Sequence, residues 1–183
     1  NKLLKFDITN SIESSDSSKF KYFLDRYNEL VLLSKFGNNM YLENPRKAID
    51  YYYQAEAIIR ELDIPRILSI CYTNLGNAYT QLYQFGDAER LYLNAINISE
   101  KLSDPDIKCL IAQQKMNLGV LYRYSNRYQD ALLMFDDAFD LATEMNNTII
   151  SATVIINIIL LHIQLNNTSL ANSYLDKLLN LDE

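Results

Sequence analysis

The sequence predicts an all-α chain of about four stacked helix hairpins. Three observations carry this. Only four Gly and three Pro occur among 183 residues, while 49% are hydrophobic, a mix that favours long helices joined by short loops over an all-β chain with many tight turns. Apolar residues recur at helical spacing, as in Ile70, Leu75, Tyr79 and Leu82, then Ile111, Leu118, Leu121 and Tyr122. Four alanines, Ala48, Ala88, Ala131 and Ala171, fall 40, 43 and 40 residues apart, each opening a stripe that is small–aromatic–small in the first three. The stripes are Ala48, Tyr52 and Ala55; Ala88, Tyr92 and Ala95; Ala131, Phe135 and Ala138; and Ala171, Leu175 and Leu178.

In chain order, residues 1–17 read as a polar, Ser-rich linker or frayed end. Asp16 or Ser17 is expected to cap a helix opening at Lys19. A repeat domain follows over 18–183, with units at about 19–62, 63–103, 104–146 and 147–183. Each unit is expected to hold two helices. Pro65 and Pro105 suit helix starts, where a missing N–H costs nothing. Polar turns separate the paired helices: YQFGD, SNRYQD and LNNTS. Asp87, Asp130 and Thr168 or Ser169 then stand where an acid or hydroxyl satisfies free N–H groups of the second helix.

Gly76 and Gly119 fall in mid-helix, at roughly 1 kcal/mol each against alanine. They are tolerable if the second helix passes close by. In the first unit Phe36 stands where Gly is expected, and in the fourth Ile159 and His162 replace Gly and Tyr.

Composition narrows the function. Net charge is −6, with no basic run, so direct nucleic-acid binding by this segment is not expected. Cys71 and Cys109 sit in apolar helical patterns and read as reduced thiols of a cytoplasmic protein. No run of eighteen apolar residues could span a membrane; residues 151–165 come nearest and are interrupted by Asn157, His162 and Gln164. The single histidine, His162, occupies a core packing position and has no nucleophile in sequence context. Phosphate loops, dinucleotide fingerprints and zinc spacings are absent, and Asp136, Asp137 and Asp140 read as a solvated face. The expectation is a binding protein without catalytic residues, metal or cofactor.

Leu75, Gly76, Tyr79, Ala88, Tyr92 and Ala95 resemble the signature of the tetratricopeptide repeat, as do Leu118, Gly119, Tyr122, Ala131, Phe135 and Ala138. The resemblance covers roughly 29–181. It implies a right-handed superhelical solenoid with first helices lining the inner wall. The usual repeat has 34 residues; these are longer by six to nine. Long repeats with a recurring NLG resemble the peptide-sensing domains of the Rap, NprR, PlcR and PrgX regulators. They also resemble adaptor scaffolds of the Pins/LGN and kinesin light chain type. The first resemblance implies a ligand-sensing part of a bacterial regulator, with Asn74, Asn117 and Asn157 on a peptide backbone. The second implies a scaffold that senses nothing.

On the first helices, Asn74, Asn77 and Gln81 form one row, and Gln113, Asn117, Val120 and Tyr124 the next. Thr153, Asn157, Leu160 and Gln164 form the third. A carboxamide both donates and accepts, so such rows suit the main chain of an extended peptide. Val120, Tyr124, Ile156 and Leu160 would then take apolar side chains, and Arg123 offers nearby positive charge. Leu170, Tyr174, Leu175, Leu178 and Leu179 leave apolar surface at the last hairpin. The expected occupant is a second subunit, giving a homodimer, or residues beyond this segment.

Overall fold

A computed structural model describes residues 17–104 and 106–181. The linker reading of residues 1–16, the cap at Asp16 and the helix start at Pro105 lie outside the described residues. Eight helices account for the described chain. They fall into two compact units that divide at Ile64 and Pro65.

In the first unit, α1 (Ser17–Met40) pairs with α2 (Pro45–Glu61). Asn44 caps α2 by accepting from the N–H of Lys47, and Pro45 follows at the position where no N–H is needed. Arg26 grips Glu61 through Nε and Nη2, at 3.1 and 2.7 Å from Oε2. Buried Tyr52 lies against Gly37: a Cβ added there would fall 2.5 Å from the ring. Gly37, rather than Phe36, is therefore the repeat's glycine. Phe36 is exposed and packs against Tyr51, 5.5 Å between ring centres.

The one-residue offset comes from the turn. Five of the later helices are followed by a left-handed residue: Asp63, Tyr83, Asn126, Asn146 and Asn166, with φ between 51° and 60°. The next N–H then reaches five residues back, as from Gln84 to the Tyr79 carbonyl at 3.0 Å and from Arg127 to that of Tyr122 at 2.8 Å. Residues 41–44 include no left-handed residue, and Asn44 bonds only four back, to Met40, at 2.7 Å. Counting from the aromatic, the first glycine is thus one residue closer.

The second unit holds three hairpins: α3 (Pro65–Gln81) with α4 (Phe85–Ser99), α5 (Ile107–Tyr124) with α6 (Tyr128–Glu144), and α7 (Thr148–Gln164) with α8 (Thr168–Leu179). Helices of 15 to 18 residues, α8 aside, run about 25 Å at 1.5 Å per residue. The expected capping residues need correction. Asp87 and Asp130 lie within the first turns of α4 and α6, whose caps, Gln84 and Arg127, make no side-chain cap bond. The two acids favour the helix start through charge and pair with Arg90 and Arg127. For α8 the cap is Asn167, not Thr168 or Ser169.

One continuous core joins Tyr92 and Ile96 of α4, Leu118 and Leu121 of α5, Phe135 and Ala138 of α6, and Val154 and Ile158 of α7. Within the second unit, α4 and α6 each pack between their own first helix and the next one. First helices also touch one another, α3 on α5 and α5 on α7, whereas α4, α6 and α8 do not pack together. Within residues 65–181 the stack therefore closes towards its first helices. A Cβ on Gly76 would fall 2.8 Å from the Tyr92 ring, and one on Gly119 2.6 Å from the Phe135 ring. It is the aromatic side chain that takes up the space each glycine leaves.

The aromatic and the residue after the glycine are matched in polarity. Tyr92 donates to Oδ1 of Asn77 at 2.6 Å, and Tyr52 to Oδ1 of Asn38 at 2.8 Å. Where the aromatic is Phe135, the matching residue is Val120, and where it is Leu175, the residue is Leu160. A hydroxyl within a helix pair needs an acceptor, and without the hydroxyl an amide there would lose its partner.

A charged bridge ties the second hairpin to the third. Tyr122 donates to Glu89 Oε1 at 2.8 Å, and Arg127 reaches the same carboxylate at 2.9 Å. Arg127 also lies over the Tyr122 ring, 4.1 Å from its centre, and holds Asp130 at 2.7 Å. Burial, then the bond to Glu89, pushes the Tyr122 phenol up to about 12. One buried group contrasts with this satisfied network. Gln114 is fully buried, and neither atom of its carboxamide has a partner among the described residues. Cys71 and Val154 hold the same repeat position. Cys71 is buried, Cys109 is half-buried, and neither forms a disulfide among the described residues.

Three outcomes follow for stability. Gln114→Leu should raise the denaturant midpoint by about 2 kcal/mol of stability, because two unpaired polar atoms leave the core; an unchanged or lower midpoint would contradict the burial. Tyr92→Phe should cost about 1 kcal/mol, and Asn77→Val in the same chain should recover much of it. A double-mutant cycle without coupling would break the pairing rule. As to pH, folded Tyr122 keeps its proton where the unfolded chain loses it. Its contribution is full below about pH 10 and falls by about 1.4 kcal/mol per unit towards pH 12. Wild type should therefore lose stability across that window more steeply than Tyr122→Phe in parallel melts.

Candidate functional site

The first helices of the second unit carry their core residues on one side and leave an arc open. At 100° per residue, Ile70, Asn74, Asn77 and Gln81 of α3 share an arc about 60° wide. None of the four is buried, whereas Cys71, Leu75 and Ala78 are. Gln113, Asn117, Val120 and Tyr124 occupy the same arc on α5, and Thr153, Asn157, Leu160 and Gln164 on α7; none of these is buried either. The rows expected from spacing are thus the open rows of helices that lie side by side. Ile70 joins the first row. Its i, i+4, i+7 and i+11 relation to Asn74, Asn77 and Gln81 is the signal that could have placed it there.

The carboxamides differ in what they hold. Asn74 and Asn117 are half-buried and have no hydrogen-bond partner among the described residues. Asn157 donates to its own helix, to the Thr153 carbonyl at 2.9 Å, leaving its carbonyl oxygen unused by that bond. Asn77 accepts from Tyr92, so it is bound into the hairpin as well as lying on the arc. Gln164 donates to the Tyr128 hydroxyl at 3.2 Å. Gln113 and Gln81 are exposed. Periodicity placed all of them on one face and could not tell the engaged amides from the open ones.

Polarity changes along the stack. The α3 row is three amides and one isoleucine, whereas Val120, Tyr124 and Leu160 bring apolar surface to α5 and α7, Tyr124 and Leu160 being exposed. Arg123 stands beside this part of the face. Its guanidinium carbon lies 4.9 Å from the centre of the Tyr124 ring, and its Nε is buried without a partner among the described residues.

Beyond the arc of α7, Ile149, Ile156 and Ile163 form an exposed row at seven-residue intervals. In the preceding helices the positions of Ile156 are held by Thr73, which is buried, and Met116, which is half-buried. On α8, Leu170, Leu175 and Leu179 are exposed, Leu178 is half-buried, and Tyr174 stacks on His162 with 5.6 Å between ring centres. His162 is itself buried, with Nδ1 unpartnered among the described residues. This is a packing position shared with Tyr79 and Tyr122. Among the described residues no three of His, Cys, Asp and Glu lie close enough to hold a metal ion. No described helix is long and apolar enough to cross a membrane.

Comparisons with known proteins agree with this architecture. Residues 69–106 and 111–148 match the tetratricopeptide-repeat family model. No curated protein matches by sequence. Among solved structures, the Rap conjugation gene regulator of plasmid pLS20, in complex with the Phr* peptide, aligns with a TM-score of 0.72 and 23% identity. Aspartyl phosphate phosphatase F from Bacillus subtilis aligns at 0.75 and 22%. Each alignment covers 84% of this chain, but only 42% and 40% of the neighbour. BtubC (BKLC) from P. vanneervenii aligns at 0.67 and 16%, over 90% of this chain and 73% of that one. At these identities the neighbours share the fold. Residues 69–106 and 111–148 thus carry two tetratricopeptide repeats by sequence, and the described helix hairpins share the solenoid fold of these neighbours, with repeats of about 40 residues.

Proposed function

We propose that residues 65–181 hold an extended peptide along the first-helix face, as the ligand-sensing part of a bacterial transcriptional or signalling regulator acting in the cytoplasm. The observation that carries this reading is the pair of half-buried, unpartnered carboxamides, Asn74 and Asn117. They stand at one repeat position on adjacent helices, on the side to which the stack closes. An open amide can donate to a peptide carbonyl and accept from a peptide N–H, so it grips main chain whatever the side chains. Asn157 and Gln113 extend the row. Val120, Tyr124 and Leu160 supply apolar contacts, and Asn77, Gln81, Arg123 and Gln164 complete the lining. A neighbour of the same fold, the pLS20 Rap regulator, is described in complex with a peptide. That likeness supports the reading through fold.

Recognition here is binding without catalysis or a cofactor, and the acidic chain makes nucleic acid an unsuitable partner for this segment. The exposed row on α7, with the leucines of α8, suits a second copy of the chain at that end. The alternative function, an adaptor that holds partner proteins without sensing a signal, draws support from Asn77 and Asn157. Their bonds within the fold leave fewer open amides than a dedicated backbone clamp would use.

Affinity selection with a random heptapeptide library tests the proposal. Wild type should retain peptides, and Asn74→Ala with Asn117→Ala should retain at least tenfold less, each lost amide contact being worth about 1 kcal/mol. Equal retention by the double variant, with its melting curve unchanged, would sink the amide-row reading.

A further inference from the structure

We infer that Arg123 is the anion-recognition point of this face, and that the peptide it takes carries a carboxylate beside its apolar residues. This rests on the peptide-binding reading above and adds the chemistry of the ligand.

Two independent observations lead to it. The first is how the charges are distributed. The chain has 23 Asp and Glu residues, yet α3, α5 and α7 contain none. Every acid of the second unit lies on a second helix, in a turn or at a terminus. The inner face of an acidic protein is thus free of carboxylates of its own, and an anion approaching it meets no like charge on those helices.

The second is the state of the cations on those helices. Arg66 holds Asp104 at 2.8 Å, Lys108 holds Glu144, and Lys115 holds Asp137 at 2.5 Å. Arg90 and Arg127, outside the first helices, are also ion-paired. Arg123 has no acidic partner among the described residues. Its only described contact of this kind is the Tyr124 ring, and its Nε is buried with no acceptor.

A half-buried guanidinium with an unused donor is costly to maintain unless something accepts from it. The ring contact keeps it in place. Tyr124 is exposed on the open arc, so the arginine in contact with its ring stands beside the surface that a bound segment would cover. Guanidinium donors in a planar fork match a carboxylate. Val120 on the same helix and Leu160 on the adjoining one provide apolar surface near that charge. A peptide with an acidic side chain, or a free C-terminal carboxylate, next to aliphatic residues fits this combination.

The probes are two heptapeptide libraries of equal apolar content. One contains Asp and Glu at randomised positions, the other Asn and Gln, and each is prepared with a free and an amidated C-terminus. Each is passed over immobilised wild type, Arg123→Gln, Arg123→Lys and Asn117→Ala, with folding checked by thermal melts. Wild type should retain at least one carboxylate-bearing pool about tenfold over its neutral counterpart. Arg123→Gln should abolish that preference while still retaining neutral peptides, and Arg123→Lys should keep part of it. Preference confined to free C-termini assigns the terminal carboxylate; preference that survives amidation assigns a side chain. Equal retention of acidic and neutral pools by wild type overturns the inference. So does an acid preference unchanged in Arg123→Gln. If neutral peptides are retained and Asn117→Ala weakens them while acids confer nothing, the groove reading stands and the role of Arg123 falls. If no pool is retained at all, both fall.

Discussion

The packing of one aromatic ring against one glycine organises each of the first three hairpins. Tyr52 faces Gly37, Tyr92 faces Gly76 and Phe135 faces Gly119, with room for hydrogen but not for a methyl group. Glycine in mid-helix sacrifices helix propensity, and the buried ring it admits returns more through packing. Because the ring comes from the second helix, the contact sets how closely the two helices lie. The small residues four before and three after the ring, Ala88 and Ala95 or Ala131 and Ala138, are fully buried beside it. The fourth hairpin, with Ile159 and Leu175 in these places, lacks the contact, and Leu175 is exposed.

That contact also bears on the open face of the first helices. A tyrosine brings a hydroxyl into the hairpin, and the residue after the glycine receives it. Asn77 therefore has two demands on it, one from Tyr92 and one from the open face. Where phenylalanine replaces tyrosine, the position is released from the internal bond and becomes Val120. The change from an amide-rich row on α3 to a more apolar one on α5 and α7 thus follows in part from which residue seats on, or near, the preceding helix. Core and surface chemistry are linked through a single side-chain pair.

Charge is arranged with a similar division. In the second unit, second helices and turns carry the acids, and several pair with cations of a first helix, as Glu144 does with Lys108 and Asp137 with Lys115. Such exposed pairs add little stability singly. Their positional effect is greater: they occupy the cations of the first helices and leave the inner face nearly neutral. Gln114, alone in the core with both polar atoms unpartnered among the described residues, is a local conflict that the surrounding apolar packing tolerates.

The fold was legible in the sequence because its determinants repeat. Alanine, aromatic and glycine recur at fixed intervals, and helical periodicity then separates buried from open faces without coordinates, so the three rows from Asn74 to Gln164 could be written down in advance. Phe36 was misread because the count assumed a turn of constant length, and whether a turn includes a left-handed residue is a backbone matter that residue spacing does not encode. The identity of the capping groups failed for the same reason, since one residue of shift moves a side chain from cap to first turn. Only the tertiary structure decided which carboxamides are already engaged, which arginine of the first helices in the second unit lacks an acid, and towards which helices that unit closes. Those properties depend on contacts between residues 15 to 40 apart in the chain, which the local pattern of a repeat permits but does not specify.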